Sequence, residues 1–293
     1  MNAFPVRLRL PLLAAVLLAL PTVGTVPCAA QGDTQAPIPD STLALVDTLR
    51  AQGDFREALS RMTNLRNEYG DEVELLWRMS LTRVDIAKTL DGKSARKQQY
   101  GQALTLAEAA LTVDASSAHA HLAKAVAEGR IALDAGTRER VQRSRLVKKH
   151  ADRAIELDST LDGAYHTRAR WNREVSDLNF FERAIVKTVY GGLPESSFQQ
   201  SVRDFKRAIE LHDERFHRLE LARTYIKMEK YDEAREQLRT VTEMRPREPF
   251  DQQYLEEAQQ LLQDIEKGGA KDVEFATHLH RRWNDGRGGQ CDF

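Results

Sequence analysis

The stretch His217–Pro246, "HRLELARTYIKMEKYDEAREQLRTVTEMRP", contains two amphipathic segments separated by a polar turn. In the second segment Ala234, Leu238 and Val241 recur at positions i, i+4 and i+7, which places them on one face of a helix. Pro246 then ends that helix, because proline supplies no backbone N–H and blocks the preceding turn. The stretch therefore predicts two antiparallel helices that meet along a stripe containing a small residue.

The same stripe recurs in four earlier segments, and this repetition resembles the tetratricopeptide repeat. In such repeats a small residue lets two antiparallel helices cross closely, while larger neighbours fill the grooves. Matching positions lie 45, 44, 54 and 33 residues apart, and only the last spacing approaches the usual ~34. The other repeats must therefore carry longer helices or loops, and we expect the Leu90–Gln99 segment to be one such loop. The four stripes are Ala58/Met62/Leu65, Ala103/Ala107/Ala110, Val147/Ala151/Ala154 and Ser201/Phe205/Ala208.

These repeats predict an all-α protein, with residues 41–267 forming a right-handed α-solenoid of tetratricopeptide-like helix pairs. A last helix, at about Phe250–Glu266, is expected to cap the open end of the solenoid. The predicted first helices of the five pairs are Leu43–Ala51, Glu74–Lys88, Ser117–Leu133, Leu161–Val175 and His217–Lys227.

An extra helix is predicted inside the fourth repeat, where the spacing is longest. Leu178, Phe181, Ile185 and Val189 recur at helical spacing, and two glycines follow them. We expect this apolar stripe to pack against the solenoid. The alternative is a helix that faces a lipid surface or a partner.

The segment Ala164–Leu211 resembles the central part of the regulator of microtubule dynamics family, and Glu74–Ala87 resembles an earlier helix of that family that contains a tryptophan. The resemblance runs from about Asp40 to Glu266. It implies a helical adaptor: animal members associate with microtubules or lie at organelle contact sites, where one is implicated in lipid binding and transfer. An exported bacterial protein would meet no microtubules, so the family's name is not carried over as a function.

The N-terminal sequence is typical of a bacterial-type secretory signal, predicted to span residues 1–30. Arg7 and Arg9 precede the apolar run Leu10–Leu20, and small residues lead to a cleavage site after Ala30. The apolar run is shorter than the ~20 residues that span a bilayer. We expect export to the periplasm or beyond, with an uncleaved N-terminal membrane anchor as the alternative. Residues 31–40 are predicted to be a linker, and residues 268–293 a flexible tail.

Composition and motifs exclude several functions. The net charge of −1, or −3 without residues 1–30, argues against nucleic-acid binding. Neither the HExxH nor the GxSxG motif occurs, and no nucleophile–base arrangement is visible, so we predict no enzyme activity, no cofactor and no metal site. His119 and His121 should face opposite sides of their helix. His278, His280 and Cys291 could converge only in the predicted tail.

The first helices of a solenoid form most of its concave wall, and the residues expected there are largely basic. Converging cations suit carboxylate or phosphate groups. We therefore predict a scaffold that binds a protein or peptide with acidic groups, the alternative being a carrier or membrane-contact tether for anionic lipid. A solvated face with no ligand stays open as well. The candidate groove residues, here called the basic row, are Arg78, Lys124, His166, Arg170, Arg173 and Arg223.

Overall fold

The computed structural model describes residues 38–267. The predicted signal peptide, most of the predicted linker and the predicted tail lie outside the described residues. So do His278, His280 and Cys291.

Within residues 38–267 every regular element is a helix, and there are twelve of them. Five pairs follow one another along the chain: α1/α2, α3/α4, α5/α6, α7/α9 and α10/α11, with α8 inserted in the fourth pair and α12 at the end. This is the predicted α-solenoid with its inserted helix and capping helix. The bounds are α1 Asp40–Ala51, α2 Phe55–Tyr69, α3 Val73–Lys88, α4 Lys93–Val113, α5 Ala118–Asp134, α6 Thr137–Leu157, α7 Asp162–Ser176, α8 Phe180–Tyr190, α9 Phe198–Leu211, α10 Arg215–Lys227, α11 Tyr231–Glu243 and α12 Asp251–Lys267.

The helix pairs cross at the predicted alanines. Ala58, Ala110, Ala154, Ala208 and Ala234 have no solvent-exposed surface, so each methyl group lies between two helices. A larger side chain would push the helices apart, which is why these positions are small.

The long repeat spacings come mainly from long helices. α4 and α6 each have 21 residues. The prediction of an extending loop at Leu90–Gln99 was wrong, because α4 already begins at Lys93. Lysine, arginine and glutamine are good helix formers, and their polarity alone does not indicate a loop.

The first repeat contacts the segment between α11 and α12. The rings of Phe55 and Phe250 stack at 5.6 Å, and the Lys88 ammonium lies 4.6 Å from the centre of the Phe250 ring. Gly53 has a positive φ of 86°, and a Cβ there would lie 3.4 Å from Pro249. The first helices of the described solenoid therefore lie against its C-terminal end, and an open cavity lies between them.

The prediction that the apolar stripe of α8 packs against the solenoid was wrong. Phe180, Phe181, Ile185 and Val189 are 51–78% exposed, whereas Val186 on the other side of the helix is buried. Val186 therefore faces the protein, and the three stripe residues within α8 turn outward. Leu178, the first residue of the predicted stripe, precedes α8 and packs against Val147, Trp171 and Val175.

Hydrogen bonds at both ends hold α8 in this orientation. Asn179 and Glu182 form a capping box at its start. At its end, Arg145 on α6 donates hydrogen bonds to the carbonyl oxygens of Tyr190 and Gly192. Gly191 adopts the left-handed conformation that closes the helix. In the described part of the chain, no helix is long and apolar enough to cross a membrane.

Candidate binding cavity

A cavity of about 550 Å³ lies where the first two repeats meet the C-terminal helices. Aromatic rings and charged side chains share its walls. The aromatic residues are Phe55, Trp77, Phe216, Phe250 and Tyr254; the carboxylates are Asp47, Glu74, Asp85, Glu214, Glu248 and Asp251; the cations are Arg50, Arg78 and Lys88. The lining thus carries six carboxylates against three cations, with His119 in addition.

One wall is built by α1 and α3 around Arg78. Its guanidinium bonds both carboxylate oxygens of Asp47 at 3.0–3.1 Å and bonds Glu74 at 2.5 Å. It also lies 4.1 Å from the centre of the Trp77 ring, which stacks on His119 at 4.5 Å. Charge-assisted bonds and stacking fix these side chains, so this wall is preorganised.

The opposite wall carries aromatic rings and a group of carboxylates. Phe216 and Tyr254 stack at 5.0 Å. Burial raises the pKa of the Tyr254 phenol, which therefore stays neutral. The pKa of Glu248, which is exposed at the rim of the cavity, is raised by partial desolvation and by the nearby Glu214 and Asp251 carboxylates. These carboxylates destabilise one another's charge, so the wall favours a cationic ligand group over an anionic one.

Three of the six residues of the predicted basic row form ion pairs with one buried glutamate. Glu220 on α10 is 1% exposed and lies 2.6 Å from Arg173, 2.5 Å from Arg223 and 3.7 Å from Arg170. Burial acts to raise the pKa of the Glu220 carboxyl, but the three guanidinium groups hold it well below its usual range. Arg223 also pairs with Glu257 on α12, which is 4% exposed.

The other three members of the basic row lie apart from one another. Lys124 pairs with Glu108 at 3.1 Å. His166 is buried against the ring of Phe216, and its Nδ1 lies 2.8 Å from that of His217. Arg78 is the one basic-row residue that lines the cavity.

The six residues therefore do not form one open cationic wall, and that premise of the sequence prediction was wrong. The reason is that acidic residues pair with most of these cations: Glu220 and Glu257 from inside the protein, and Asp47, Glu74 and Glu108 from half-exposed positions. Arg170 keeps the longest ion pair and a 29% exposed side chain. Binding of an anionic ligand by the basic row stays a prediction.

The prediction that His119 and His121 lie on different sides of their helix is confirmed. His119 and His121 face different neighbours, the first stacking on Trp77 and the second bonding His150. Trp77 and Trp171 are buried. The sequence analysis missed Phe250 as a site residue, because it was assigned to the capping helix and lies in the segment that precedes α12.

Comparison with known proteins gives a family match over most of the described chain. The family model described as "Regulator of microtubule dynamics protein 1-3" matches residues 42–266. Regulator of microtubule dynamics protein 3 of Mus musculus is 28% identical over 193 residues, covering 65% of this chain and 41% of that protein. Protein 2 of Homo sapiens is 27% identical over 173 residues, covering 59% and 42%. The chain thus spans about two fifths of the length of these relatives.

A solved structure supports the fold alone. The crystal structure of a thermophilic TPR protein from Thermus thermophilus superposes with a TM-score of 0.55 at 17% sequence identity. The superposition covers 75% of this chain and 98% of that one. At this identity the likeness extends to the helical-repeat architecture and not to a ligand.

Proposed function

The chain belongs to the regulator of microtubule dynamics family, and from this membership and the cavity we propose that it is a non-catalytic helical-repeat scaffold that binds a protein or peptide partner. The observation that carries this proposal is the cavity of about 550 Å³ with its aromatic and charged lining. That volume suits a few side chains of a partner, and aromatic anchors dominate the binding energy of protein interfaces.

The cavity favours a partner segment with a cationic and an aromatic or apolar side chain. Six carboxylates outnumber three cations in the lining, and a buried carboxylate without a cation gains from a positive partner. The sequence predicted a partner with acidic groups, bound by the basic row. Those cations are already paired, so an acidic partner is the opposing outcome of the experiment below.

We also propose that the protein is exported from the cytoplasm. The signal-like residues 1–30 support export, with periplasmic or secreted protein after cleavage and N-terminal membrane anchoring as the alternative. Intact-mass measurement on fractionated cells tests it: export predicts a mature chain beginning at Gln31.

Affinity capture with two charge-reversed variants tests the cavity. Glu248 and Glu243 are both exposed glutamates without an ion pair among residues 38–267, but only Glu248 lines the cavity. The full chain, E248K and E243K are used as baits, and captured proteins are quantified by mass spectrometry. A partner lost by at least about tenfold with E248K and retained with E243K supports the proposal. Equal capture by all three baits contradicts it, and improved capture by E248K indicates an acidic partner.

The outward face of α8 favours a second candidate function, a tether to an anionic lipid surface. Four large apolar side chains are exposed there, and Arg183 and Lys187 follow one edge of the apolar arc. An apolar face bordered by cations is typical of helices that lie in a membrane interface. Co-sedimentation with vesicles of phosphatidylcholine and phosphatidylglycerol tests it. The double variant F180S/F181S should lose binding, whereas binding that is absent or unchanged in the variant contradicts it.

A further inference from the structure

Three helix ends bring metal-ligating side chains together beside the cavity. Asp162 is the first residue of α7, His212 ends α9, and Glu214 precedes α10. One ligand atom from each lies within 4.8 Å of the other two. His212 and Glu214 lie two residues apart in the short connection between α9 and α10, whereas Asp162 is distant in sequence, so the sequence alone does not bring the three together.

The separation of two of the proposed ligands is close to that expected around a small divalent ion. In a tetrahedral site with metal–ligand bonds of ~2.0–2.1 Å, ligand atoms lie about 3.3 Å from one another. His212 Nδ1 lies 3.0 Å from the Glu214 carboxylate. His217 Nε2 lies 2.9 Å from Asp162 and 3.9 Å from the second oxygen of Glu214, so it holds Asp162 in place at the edge of the group.

The charges of this group lack a balancing cation. Among residues 38–267, neither Asp162 nor Glu214 has an ion pair with lysine or arginine; their ionic partners are imidazoles. Asp251 and Glu248 lie close enough to add to the negative potential. A divalent cation would offset charges that the protein itself leaves uncompensated.

We propose that Asp162, His212 and Glu214 bind one Zn²⁺ ion. One imidazole nitrogen with carboxylate oxygens is a ligand set that zinc accepts, whereas Mg²⁺ and Ca²⁺ prefer oxygen alone. The ion would join α7, α9 and α10, and it would neutralise Glu214, which lines the cavity. The inference goes beyond the proposed function and does not depend on it.

The tail outside the described residues contains His278, His280 and Cys291, which could bind zinc themselves. The experiment therefore uses the full chain with H278A, H280A and C291S as the parent protein. Zinc bound after equilibrium dialysis is counted by elemental mass spectrometry, and the melting temperature is measured with and without zinc. Variants D162N, H212A and E214Q are compared with D213N.

D213N is the matched control, since it removes one negative charge from the residue between two proposed ligands. The Asp213 carboxylate bonds Arg218 at 2.6 and 2.7 Å and is not part of the group. The parent and D213N should bind one equivalent of zinc and melt at a higher temperature with it. Each ligand variant should weaken binding by about tenfold or more and lose the shift in melting temperature.

Two results would overturn the site: no zinc retained by the parent protein, or the same loss of affinity in D213N as in E214Q. If a ligand variant fails to fold without metal, the visible spectrum of Co²⁺ bound to the parent protein decides instead. Intense absorption shows Co²⁺ bound with a coordination number below six, as the site requires, whereas the weak spectrum of hydrated Co²⁺ contradicts the proposal.

Discussion

Helices α7 and α8 are consecutive, yet each reverses the usual distribution of polar and apolar residues. On α7, Arg173 is buried and its guanidinium meets Glu220 in the core. On α8, Phe180 and Phe181 are more than three-quarters exposed. The arginine that suggested a binding site thus forms a buried ion pair inside the protein, whereas the phenylalanines that were expected to pack are exposed to solvent. Residue type alone does not tell which surface is free.

The largest effect on stability is expected when Glu220, the buried partner of Arg173, is replaced. E220A would leave Arg173, Arg170 and Arg223 with like charges and without their shared carboxylate. Removing one partner of a buried ion pair costs about 3–5 kcal/mol. Urea denaturation should show that loss in the free energy of unfolding.

E174A is the control for E220A. Glu174 contacts the same Arg173 at 3.2 Å, but its side chain is 41% exposed. Exposed pairs contribute ~0–1 kcal/mol, so E174A should change the free energy of unfolding by less than about 1 kcal/mol. Equal losses in the two variants would show that the Glu220 cluster is no more than a surface network.

A smaller effect, a pH dependence of stability, should come from the contact between His121 and His150. His150 is 7% exposed, its Nδ1 lies 2.8 Å from that of His121, and burial together with Lys124 lowers its pKa to about 4. The unfolded chain takes up this proton near pH 6.5 and the folded chain only near pH 4, so stability is present above pH 6.5 and is lost as the pH falls toward 4. The loss from this residue is on the order of 2–3 kcal/mol.

The H150Q variant isolates this contribution, since glutamine keeps a polar group and does not titrate. Unfolding free energies measured between pH 7 and pH 4 should fall less steeply in H150Q than in the unmodified chain, by up to about 1.4 kcal/mol per pH unit. Identical slopes would show that His150 is protonated as easily in the folded chain as in the unfolded one.

The smallest effect on stability is expected on α8. The double variant F180S/F181S removes side chains that are 78% and 76% exposed. Surface substitutions of this kind change the free energy of unfolding by about 0.5 kcal/mol or less. A loss of 2 kcal/mol or more in the free energy of unfolding, measured by urea denaturation, would show that these rings pack against the protein. It would contradict the proposal that α8 faces a lipid surface.

The sequence predicted the helices well because alanine recurs where helices cross. Ala58 and Ala234 mark such crossings by periodicity alone. The capping helix and the inserted helix followed from the same apolar spacing.

The surroundings of charged residues could not be predicted in this way. Helix α10 is buried nearly all round, with Leu219, Glu220 and Leu221 in succession at 1% exposure or less. A helix buried on every side has no polar face, so its periodicity does not show which charges meet water. Likewise the stripe of α8 predicts an amphipathic helix and leaves open what its apolar side contacts.

The central claim is that partner binding depends on the cavity and not on the basic row. The most direct test is the dissociation constant of the partner captured by the full chain, measured for E248K and for R170A. Arg170 is the basic-row residue with the longest ion pair, 3.7 Å from Glu220, so its removal disturbs the fold least. E248K should raise the dissociation constant by about tenfold or more, and R170A should change it by less than about twofold. Weakened binding in R170A with unchanged binding in a folded E248K would contradict it.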